Sequence, residues 1–262
     1  MTHTVIADPR RSRLSLRLAE TEDDLRSVQR LRWQVFHEEM GAGVPSLPSE
    51  NLDSDVYDPL CDHLIVSAVD GEGIARAVGT YRLLRGSVAS RSFGFYTAGE
   101  FSLDMLMDRS SEGELLELGR SCVLPAYRTS STISMLWRGI SEYIARHDIA
   151  LMFGCASLPG TDPDIHAEAL SYLYHNHLAS PDLRPVPVPG KRIEMERCER
   201  GAYDERRALL GLPPLIKGYL RAGAMFGDGA YLDADFNTID VCVVLPVDLI
   251  SSRYAARFRA AA

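Results

Sequence analysis

The fold is decided by the stretch from Glu114 to Arg128, which reads Glu-Leu-Leu-Glu-Leu-Gly-Arg-Ser-Cys-Val-Leu-Pro-Ala-Tyr-Arg. Its leucines and valine predict a strand, and the proline at position 125 predicts where that strand ends. Two charged residues, Glu117 and Arg120, fall inside this otherwise apolar run. Burying them costs free energy unless they are paired or used in chemistry. The stretch therefore predicts a buried strand that also carries a functional site.

The spacing of these two charges predicts an irregular strand. Residues i and i+3 of a regular strand face opposite sides of the sheet. Glu117 and Arg120 can therefore share a face only if a bulge resets the alternation. Gly119 lies between them, and a glycine inside a strand often marks a bulge. We expect a bulge at or beside Gly119.

A hydroxyl-rich turn follows the strand, because Arg128 precedes Thr-Ser-Ser-Thr and an apolar helical pattern begins after Thr132. Hydroxyl groups and the free amides of a helix N-terminus can bind one phosphate group. An ordinary helix N-cap explains the same residues and stays open as the alternative.

Apolar periodicity in the rest of the chain predicts a mixed α/β sheet with helices on both faces. Strands are expected at 13–19, 63–69, 75–84, 149–156 and 239–245, and helices at 21–40, 133–146, 164–177, 203–210 and up to 222. A hairpin turn, Asp-Gly-Glu-Gly, should join the second and third strands. A Gly-rich turn is expected after residue 222. Prolines between 180 and 190 predict a boundary between a core of residues 1–180 and a C-terminal extension of residues 181–262 packed on it.

The composition limits the class of partner and the compartment. The chain has 262 residues, 46% of them hydrophobic, and a net charge of −8, which argues against a nucleic-acid partner. Five scattered cysteines suit reduced thiols, and no apolar run approaches the ~18 residues of a spanning helix. We therefore expect a cytoplasmic protein. The basic amphipathic end at 253–258 leaves open a peripheral contact with an anionic membrane at its inner face.

Four motifs resemble, in their order, those of GNAT-like acyltransferases, in particular the acyl-homoserine-lactone synthases. They are Arg32-Trp-Gln-Val-Phe36, Asp55-Val-Tyr-Asp58, Arg82 in Gly-Thr-Tyr-Arg, and Glu117-Leu-Gly-Arg120. This resemblance covers roughly residues 14–155 and implies a GNAT-like fold with a mixed, splayed sheet flanked by helices.

A fuller resemblance, over nearly the whole chain, is to the ornithine-lipid N-acyltransferases, also called L-ornithine Nα-acyltransferases. It rests on the segments at 117–123, 212–221 and 233–241, and the last two lie in a C-terminal α/β extension that the shorter lactone synthases lack. The resemblance implies transfer of a 3-hydroxyacyl chain from acyl carrier protein to the α-amine of L-ornithine, which gives lyso-ornithine lipid.

Aminolysis of a thioester needs a base for the amine and donors for the oxyanion. Glu117 is the candidate base, acting directly or through a water, and Arg120 is the second catalytic candidate. A buried carboxylate has a raised proton affinity, which suits this task. The alternative is that Glu117 only pairs with Arg82 or Arg120.

Acceptor and donor are assigned to two groups of residues. An ion-pair network and the neighbouring phenylalanine should form the acceptor side: Arg32, Phe36, Asp55, Asp58 and Arg82. The acyl-phosphopantetheine arm should contact Cys122, Val123, Arg128, Ser130 and Ser131. The hydroxyl-rich turn after Arg128 has no glycine. This favours the single phosphate of a carrier protein over the pyrophosphate of coenzyme A. No permanently bound cofactor is expected. Carrier proteins are acidic, so Arg128, Arg138 and Arg146 are candidates for docking one.

Three further readings complete the sequence-based hypotheses. The acidic cluster Asp233, Asp235, Asn237 and Asp240 does not match an EF-hand, so we expect no metal there. A turn with Asx hydrogen bonds, or selection of the acceptor's side chain, explains the cluster better. The rival functions are an acyl-homoserine-lactone synthase that uses S-adenosylmethionine and a non-catalytic module that binds acyl chains or carrier protein.

Overall fold

A computed structural model describes residues 13–43, 51–69 and 73–250. The N-terminal arm, part of the loop at 41–59, most of the Asp-Gly-Glu-Gly turn and the basic C-terminal end lie outside the described residues. None of the helices within these three ranges is long and apolar enough to cross a membrane.

The strands of the described chain are β1 Leu14–Leu18, β2 Asp62–Val69, β3 Ala75–Arg85, β4 Phe101–Ser102, β5 Glu114–Val123, β6 Ile149–Pro159, β7 Val186–Pro187, β8 Arg192–Ile193, β9 Met225–Asp233 and β10 Thr238–Pro246. Eight of them form one sheet in the order β1-β2-β3-β5-β6-β10-β9-β8, and β4 pairs with β7 separately. Only β5 and β6 run parallel within the large sheet. Of the strands that follow residue 181, β8, β9 and β10 join this same sheet, while the domain boundary at residue 180 stays a prediction.

The α-helices of the described chain are α1 Glu22–Trp33, α2 Gly86–Ala89, α3 Asp104–Met107, α4 Ser130–His147, α5 Ala167–His177, α6 Glu205–Gly211 and α7 Pro214–Ala222. Thr21 and Asp24 form the capping box that starts α1. The predicted helix up to residue 40 continues past α1 as a π-helical segment, Gln34–Glu39. Helices α4, α5 and α7 share one apolar core with the sheet, and α1 packs in a separate core. The expected helices on both faces are confirmed.

The sheet splays between β5 and β6. Their parallel pairing runs only from Glu114 to Glu117 on β5. Beyond Glu117, β5 continues along β3 to Val123, whereas β6 continues along β10. Gly154 of β6 lies at the point of divergence, where a Cβ would stand 2.2 Å from the Leu118 carbonyl oxygen. The expected splayed, mixed sheet is confirmed, and a residue without a side chain forms its apex.

The Gly-rich turn predicted after residue 222 is wrong, because that segment is the nine-residue strand β9. Its glycines serve close packing rather than chain reversal. A Cβ on Gly227 would lie 2.5 Å from the Pro185 carbonyl oxygen, and one on Gly229 would lie 2.5 Å from Arg192 Nη1. Neighbouring segments thus approach the backbone of β9 where side chains would clash.

We expect Gly154→Ala to destabilise the protein by about 2 kcal/mol, because the added methyl group collides with backbone that cannot move aside cheaply. Urea denaturation followed by circular dichroism measures the loss.

Gly211→Ala is the matched control, since a Cβ at Gly211 meets no atom within 4 Å. Its stability should be unchanged or slightly higher. If Gly154→Ala had the same free energy of unfolding as the wild type, the apex of the splay would tolerate a side chain.

Candidate active site

Strand β5 contains a bulge beside Gly119. Thr80 of β3 pairs with Cys122 and Arg82 pairs with Gly119, so Tyr81 alone opposes the two residues Arg120 and Ser121. Arg120 adopts the left-handed conformation, with φ of 47°. The predicted bulge is confirmed. Its consequence is that Arg120 turns toward the same side of β5 as Glu117 and meets the same cavity.

An ion network is built around Arg32, which is 0% exposed. Its Nε lies 2.8 Å from Asp53 Oδ1, and its Nη2 lies 2.7 Å from Asp58 Oδ2. Asp58 also accepts a hydrogen bond of 2.9 Å from Gln29 Nε2. Helix α1 thereby fixes the loop at 53–58 against the sheet.

Two further arginines from the sheet complete this network. Arg82 Nη1 of β3 lies 2.7 Å from Asp55 Oδ1 and 3.0 Å from Asp58 Oδ1. Arg120 Nη2 of β5 lies 3.2 Å from Asp55 Oδ2, and its Nε lies 3.4 Å from Asp53 Oδ1. Three arginines therefore face three aspartates of one loop, which confirms the expected ion-pair network and adds Asp53 to it.

The charges within the network compensate one another. Burial raises the pKa of Asp53, but the Arg32 and Arg120 guanidinium groups outweigh it and leave the pKa below its ordinary value. The pKa of Asp58 is also lowered, since burial is again outweighed by the charge and hydrogen bonds of Arg32. Both aspartates are thus carboxylates at neutral pH, and the six residues carry no net charge.

The Arg120 guanidinium lies between two aromatic rings. Its Cζ is 4.8 Å from the centre of the Tyr96 ring and 4.5 Å from that of Phe236. These cation–π contacts fix the plane of the guanidinium. Phe236 also packs edge-on against Phe36, with ring centres 6.1 Å apart.

Glu117 is 4% exposed, and its carboxylate caps a turn. It accepts N–H bonds from Tyr96 at 3.0 Å and Thr97 at 2.6 Å, together with a hydrogen bond from the Thr97 hydroxyl. Its hydrogen bonds therefore go to this turn rather than to Arg82 or Arg120. Burial raises the pKa of Glu117, although the donors from Thr97 and Tyr96 oppose the shift.

A cavity of about 710 Å³ opens at the splay between β5 and β6. Its polar wall contains Glu117 and Arg120, and its apolar wall is formed by α4, α7 and the segment before α7. Seven of the predicted site residues line it: Phe36, Arg82, Glu117, Arg120, Cys122, Val123 and Arg128. Arg32, Asp55 and Asp58 lie behind this wall and hold Arg82 and Arg120 in place.

The expected donor side has a different arrangement. Arg128 lines the cavity, forms a bidentate ion pair with Glu39 at 2.7 Å and donates through Nε to the Val123 carbonyl oxygen at 3.0 Å. Thr129 is the N-cap of α4, as the alternative reading held. Ser130 and Ser131 are exposed in the first turn of α4, outside the cavity lining.

Burial raises the pKa of the Cys122 thiol to about 12. The thiol is therefore protonated at neutral pH and is a poor nucleophile.

Several residues of the site were not among the sequence candidates. Tyr96 and Thr97 come from a short turn without a recognisable motif, and Phe236 comes from the β9–β10 hairpin. Glu100 and Cys155 lie beside Asp240 at one end of the site, with one ligand atom of each within 4.8 Å of the others. The aromatic character of residues 93–101 is the one sequence signal for that turn. Its contacts with β5 span about twenty positions of sequence, so no local spacing predicts them.

The fold is that of the GNAT class of acyltransferases. Residues 31–138 match the model of the acetyltransferase (GNAT) domain family. Among solved structures, the N-acyl amino acid synthase FeeM from uncultured soil microbes has a similar fold. The TM-score is 0.54 and the sequence identity 10%, over 94% of this chain and 98% of FeeM. The CoA-dependent acyl-homoserine lactone synthase BjaI aligns with a TM-score of 0.51 and 13% identity, over 95% of this chain and 89% of BjaI.

Sequence relatives narrow the class to one family. The L-ornithine N(alpha)-acyltransferase of Agrobacterium fabrum is 46% identical over 94% of this chain and 85% of its own length. Three others, from Rhizobium meliloti, Brucella abortus and Rhodobacter capsulatus, have the same name and are 40–45% identical. The chain belongs to the family of L-ornithine N(alpha)-acyltransferases.

We expect Arg32→Met to lower the free energy of unfolding by about 3–5 kcal/mol, because Asp53 and Asp58 would be left buried without their main counter-charge. Chemical denaturation at neutral pH measures this loss.

The control is Arg17→Met, which removes an ion pair with Asp24 in which Arg17 is half exposed. That change should cost no more than about 1 kcal/mol. Similar losses in both variants would contradict a network that depends on its buried arginine.

Proposed function

We propose that this protein transfers a 3-hydroxyacyl chain from acyl carrier protein to the α-amine of L-ornithine, giving lyso-ornithine lipid. The observation that carries the proposal is the cavity at the splay of β5 and β6. It brings a long apolar wall, suited to an acyl chain, into the same space as the Glu117 carboxylate and the Arg120 guanidinium. The names of the family members supply the acceptor.

The acceptor lies on the polar wall in this proposal. Arg32 has its donors committed to Asp53 and Asp58, which leaves Arg82 and Arg120 as the arginines of the network that reach the cavity. Arg120 Nε is buried without a hydrogen-bond partner. Arg82 Nη1 is already shared between Asp55 and Asp58, so the planar guanidinium of Arg120 is the better candidate for the acceptor carboxylate. The acceptor's α-amine then faces Glu117.

The chemistry is direct aminolysis of a thioester. The α-ammonium gives a proton to Glu117, directly or through a water, and the free amine attacks the thioester carbonyl carbon. Collapse of the tetrahedral intermediate forms the amide bond and expels the pantetheine thiolate, which takes up the proton that the attacking nitrogen loses. Glu117 Oε2 accepts one N–H bond, from Tyr96, and so retains a lone pair for the incoming proton. The raised pKa of the carboxyl favours the base role.

The bulge supplies the oxyanion donors in this mechanism. It interrupts the ladder between β3 and β5 at Arg120 and Ser121, and the extra residue of a bulge has an unpaired backbone. A backbone N–H group held in this way can donate to the developing negative charge at no cost of reorganisation. The protonated state of the Cys122 thiol favours direct attack over an acyl–cysteine intermediate.

Arg128 is the proposed contact for the phosphate of the pantetheine arm. Its guanidinium is 44% exposed at the cavity rim and is held by Glu39. A phosphate would compete with Glu39 for the same bidentate geometry. The turn after Arg128 contains no glycine, which fits one phosphate better than the pyrophosphate of coenzyme A. Acyl carrier protein is therefore the proposed donor.

Incubation with 3-hydroxyacyl carrier protein and each amino acid in turn, followed by mass spectrometry, tests the acceptor and the reaction together. We expect N-acyl-ornithine as the main product and slower turnover with the matching acyl-coenzyme A. A homoserine lactone formed from S-adenosylmethionine would favour the lactone-synthase alternative. Absence of any N-acyl-amino acid would leave the non-catalytic module as the better reading.

We expect Glu117→Gln to lower kcat at least ~100-fold while the protein remains folded, because the amide cannot accept the proton. Steady-state kinetics with the carrier-protein donor gives kcat, and circular dichroism with a melting curve checks folding.

Glu114→Gln is the control on the same strand, since Glu114 lies outside the cavity and bonds to the Ser87 amide. It should have ordinary turnover. Unchanged turnover of the folded Glu117→Gln protein would remove Glu117 as the base.

A further inference from the structure

A second group of titratable side chains lies beside the proposed catalytic centre, which does not use it. Glu100 follows the turn that Glu117 caps, Cys155 lies on β6 and Asp240 lies on β10. One ligand atom from each of the three lies within 4.8 Å of the others. We call Glu100, Cys155 and Asp240 the acidic pocket.

The two carboxyl groups of this pocket form no ion pair within contact distance among the described residues, although the Arg120 guanidinium attracts both. Each residue is 5% exposed, and Glu100 Oε2 and Asp240 Oδ1 are buried without a hydrogen-bond partner. Leaving such oxygens unpaired in a folded protein costs free energy. Burial, followed by repulsion from Asp240, raises the pKa of Glu100, and burial likewise raises the pKa of Asp240. A cation that enters the pocket would therefore meet two buried carboxyl oxygens that have no hydrogen bond.

Cys155 and Asp240 form the cavity side of the acidic pocket, and Glu100 lies next to them outside the cavity lining. Asp240 lines the cavity that Glu117 and Arg120 line, and Asp233 adds a second carboxylate to the same wall. A chain of side-chain contacts joins the pocket to the candidate base. Cys155 Sγ donates to Thr97 Oγ1 at 3.6 Å, and the Thr97 hydroxyl donates to Glu117. A molecule with one amine at Glu117 thus has the pocket within reach of a short side chain.

The geometry of the pocket suits a primary ammonium group. An ammonium nitrogen that donates two hydrogen bonds of ~2.8 Å at the tetrahedral angle holds its acceptors about 4.6 Å apart. The ligand atoms of the pocket all lie within 4.8 Å of one another, which allows this spacing. Buried carboxylates paired with an ammonium group regain the charge compensation that burial otherwise removes.

We infer that Glu100 and Asp240 bind the side-chain ammonium of the acceptor and so select a diamino acid over neutral amino acids of the same length. This inference rests on the proposed function, because it places the α-amine at Glu117. Arg120 would hold the carboxylate, Glu117 would meet the α-amine, and the acidic pocket would hold the far end. The three charged groups of the acceptor would each meet an opposite charge.

L-norvaline provides the sharp test, because it has the carbon skeleton of L-ornithine without the δ-amine. Wild-type protein should acylate L-ornithine with a kcat/KM at least ~10-fold above that for L-norvaline. Asp240→Asn should lower kcat/KM for L-ornithine at least ~10-fold and change the value for L-norvaline less than ~3-fold. Glu100→Gln should behave in the same way and serves as a second variant if one of them folds poorly.

Asp235→Asn is the matched control, since Asp235 belongs to the same hairpin but is exposed and outside the cavity lining. Its ratio of kcat/KM values should equal that of the wild type. Equal losses for both acceptors in Asp240→Asn, or a wild type that does not distinguish the acceptors, would overturn the inference.

Calorimetric titration separates this inference from the proposed function, because it measures binding without turnover. L-ornithine should bind wild type more tightly than L-norvaline, and Asp240→Asn should remove the difference. That result supports the pocket even if acylation of L-ornithine is not detected, whereas equal binding overturns it. Zn²⁺ titrated alone is the remaining arm: stoichiometric binding that Asp240→Asn abolishes would assign a metal site and overturn the ammonium site.

Discussion

The burial of Arg32 is the constraint on which the rest of the site depends. A fully buried guanidinium is tolerable only when every donor finds an acceptor and the charge is balanced. Asp53 and Asp58 provide this balance from one loop. The same loop then supplies Asp55, which reaches Arg82 and Arg120 on two adjacent strands. Helix α1, the loop and the sheet are thereby tied together, and the guanidinium groups that face the cavity have fixed orientations.

A second constraint is the geometry of β5. It must leave β6 after Glu117 so that a cavity can form, and it must also turn Arg120 toward the same side as Glu117. Gly154 permits the first, since its missing side chain leaves room for the Leu118 carbonyl group. The bulge at Arg120 and Ser121 provides the second. Strand β5 thereby carries the candidate base Glu117 and the Arg120 guanidinium three residues later, where its hydrogen-bond ladder with β3 is interrupted.

The distribution of charge distinguishes structural from functional groups in this cavity. The network around Arg32 balances three arginines with three aspartates, and the donors of Arg32 are committed to Asp53 and Asp58, so it requires no ligand to balance its charge. The acidic pocket is different, because two buried carboxyl groups have oxygens without partners. Unpartnered buried oxygens raise the free energy of the empty site. A cation that binds to them lowers it. The proposed affinity for a positively charged side chain rests on this lack of charge compensation in the acidic pocket, whereas the network around Arg32 is already compensated.

The sequence by itself determined the features that local patterns encode. Apolar periodicity predicted β1, β2, β3, β6 and β10 together with α1, α4, α5, α6 and α7, and Gly119 between two charges predicted the bulge. The motif residues Arg32, Asp55, Asp58 and Arg82 were also predicted to form one ion-pair network. Such signals are readable because each depends on a few consecutive residues.

Tertiary structure alone decided which groups meet. It made a strand of β9, whose glycines accommodate Pro185 and Arg192 rather than a turn. It added Asp53 to the ion network, and it directed the Glu117 carboxylate to Tyr96 and Thr97 instead of to an arginine. It also brought Glu100 to Asp240 across 140 positions of sequence. Pairings of this kind depend on the register of strands that are distant in the chain, and no local spacing encodes that register.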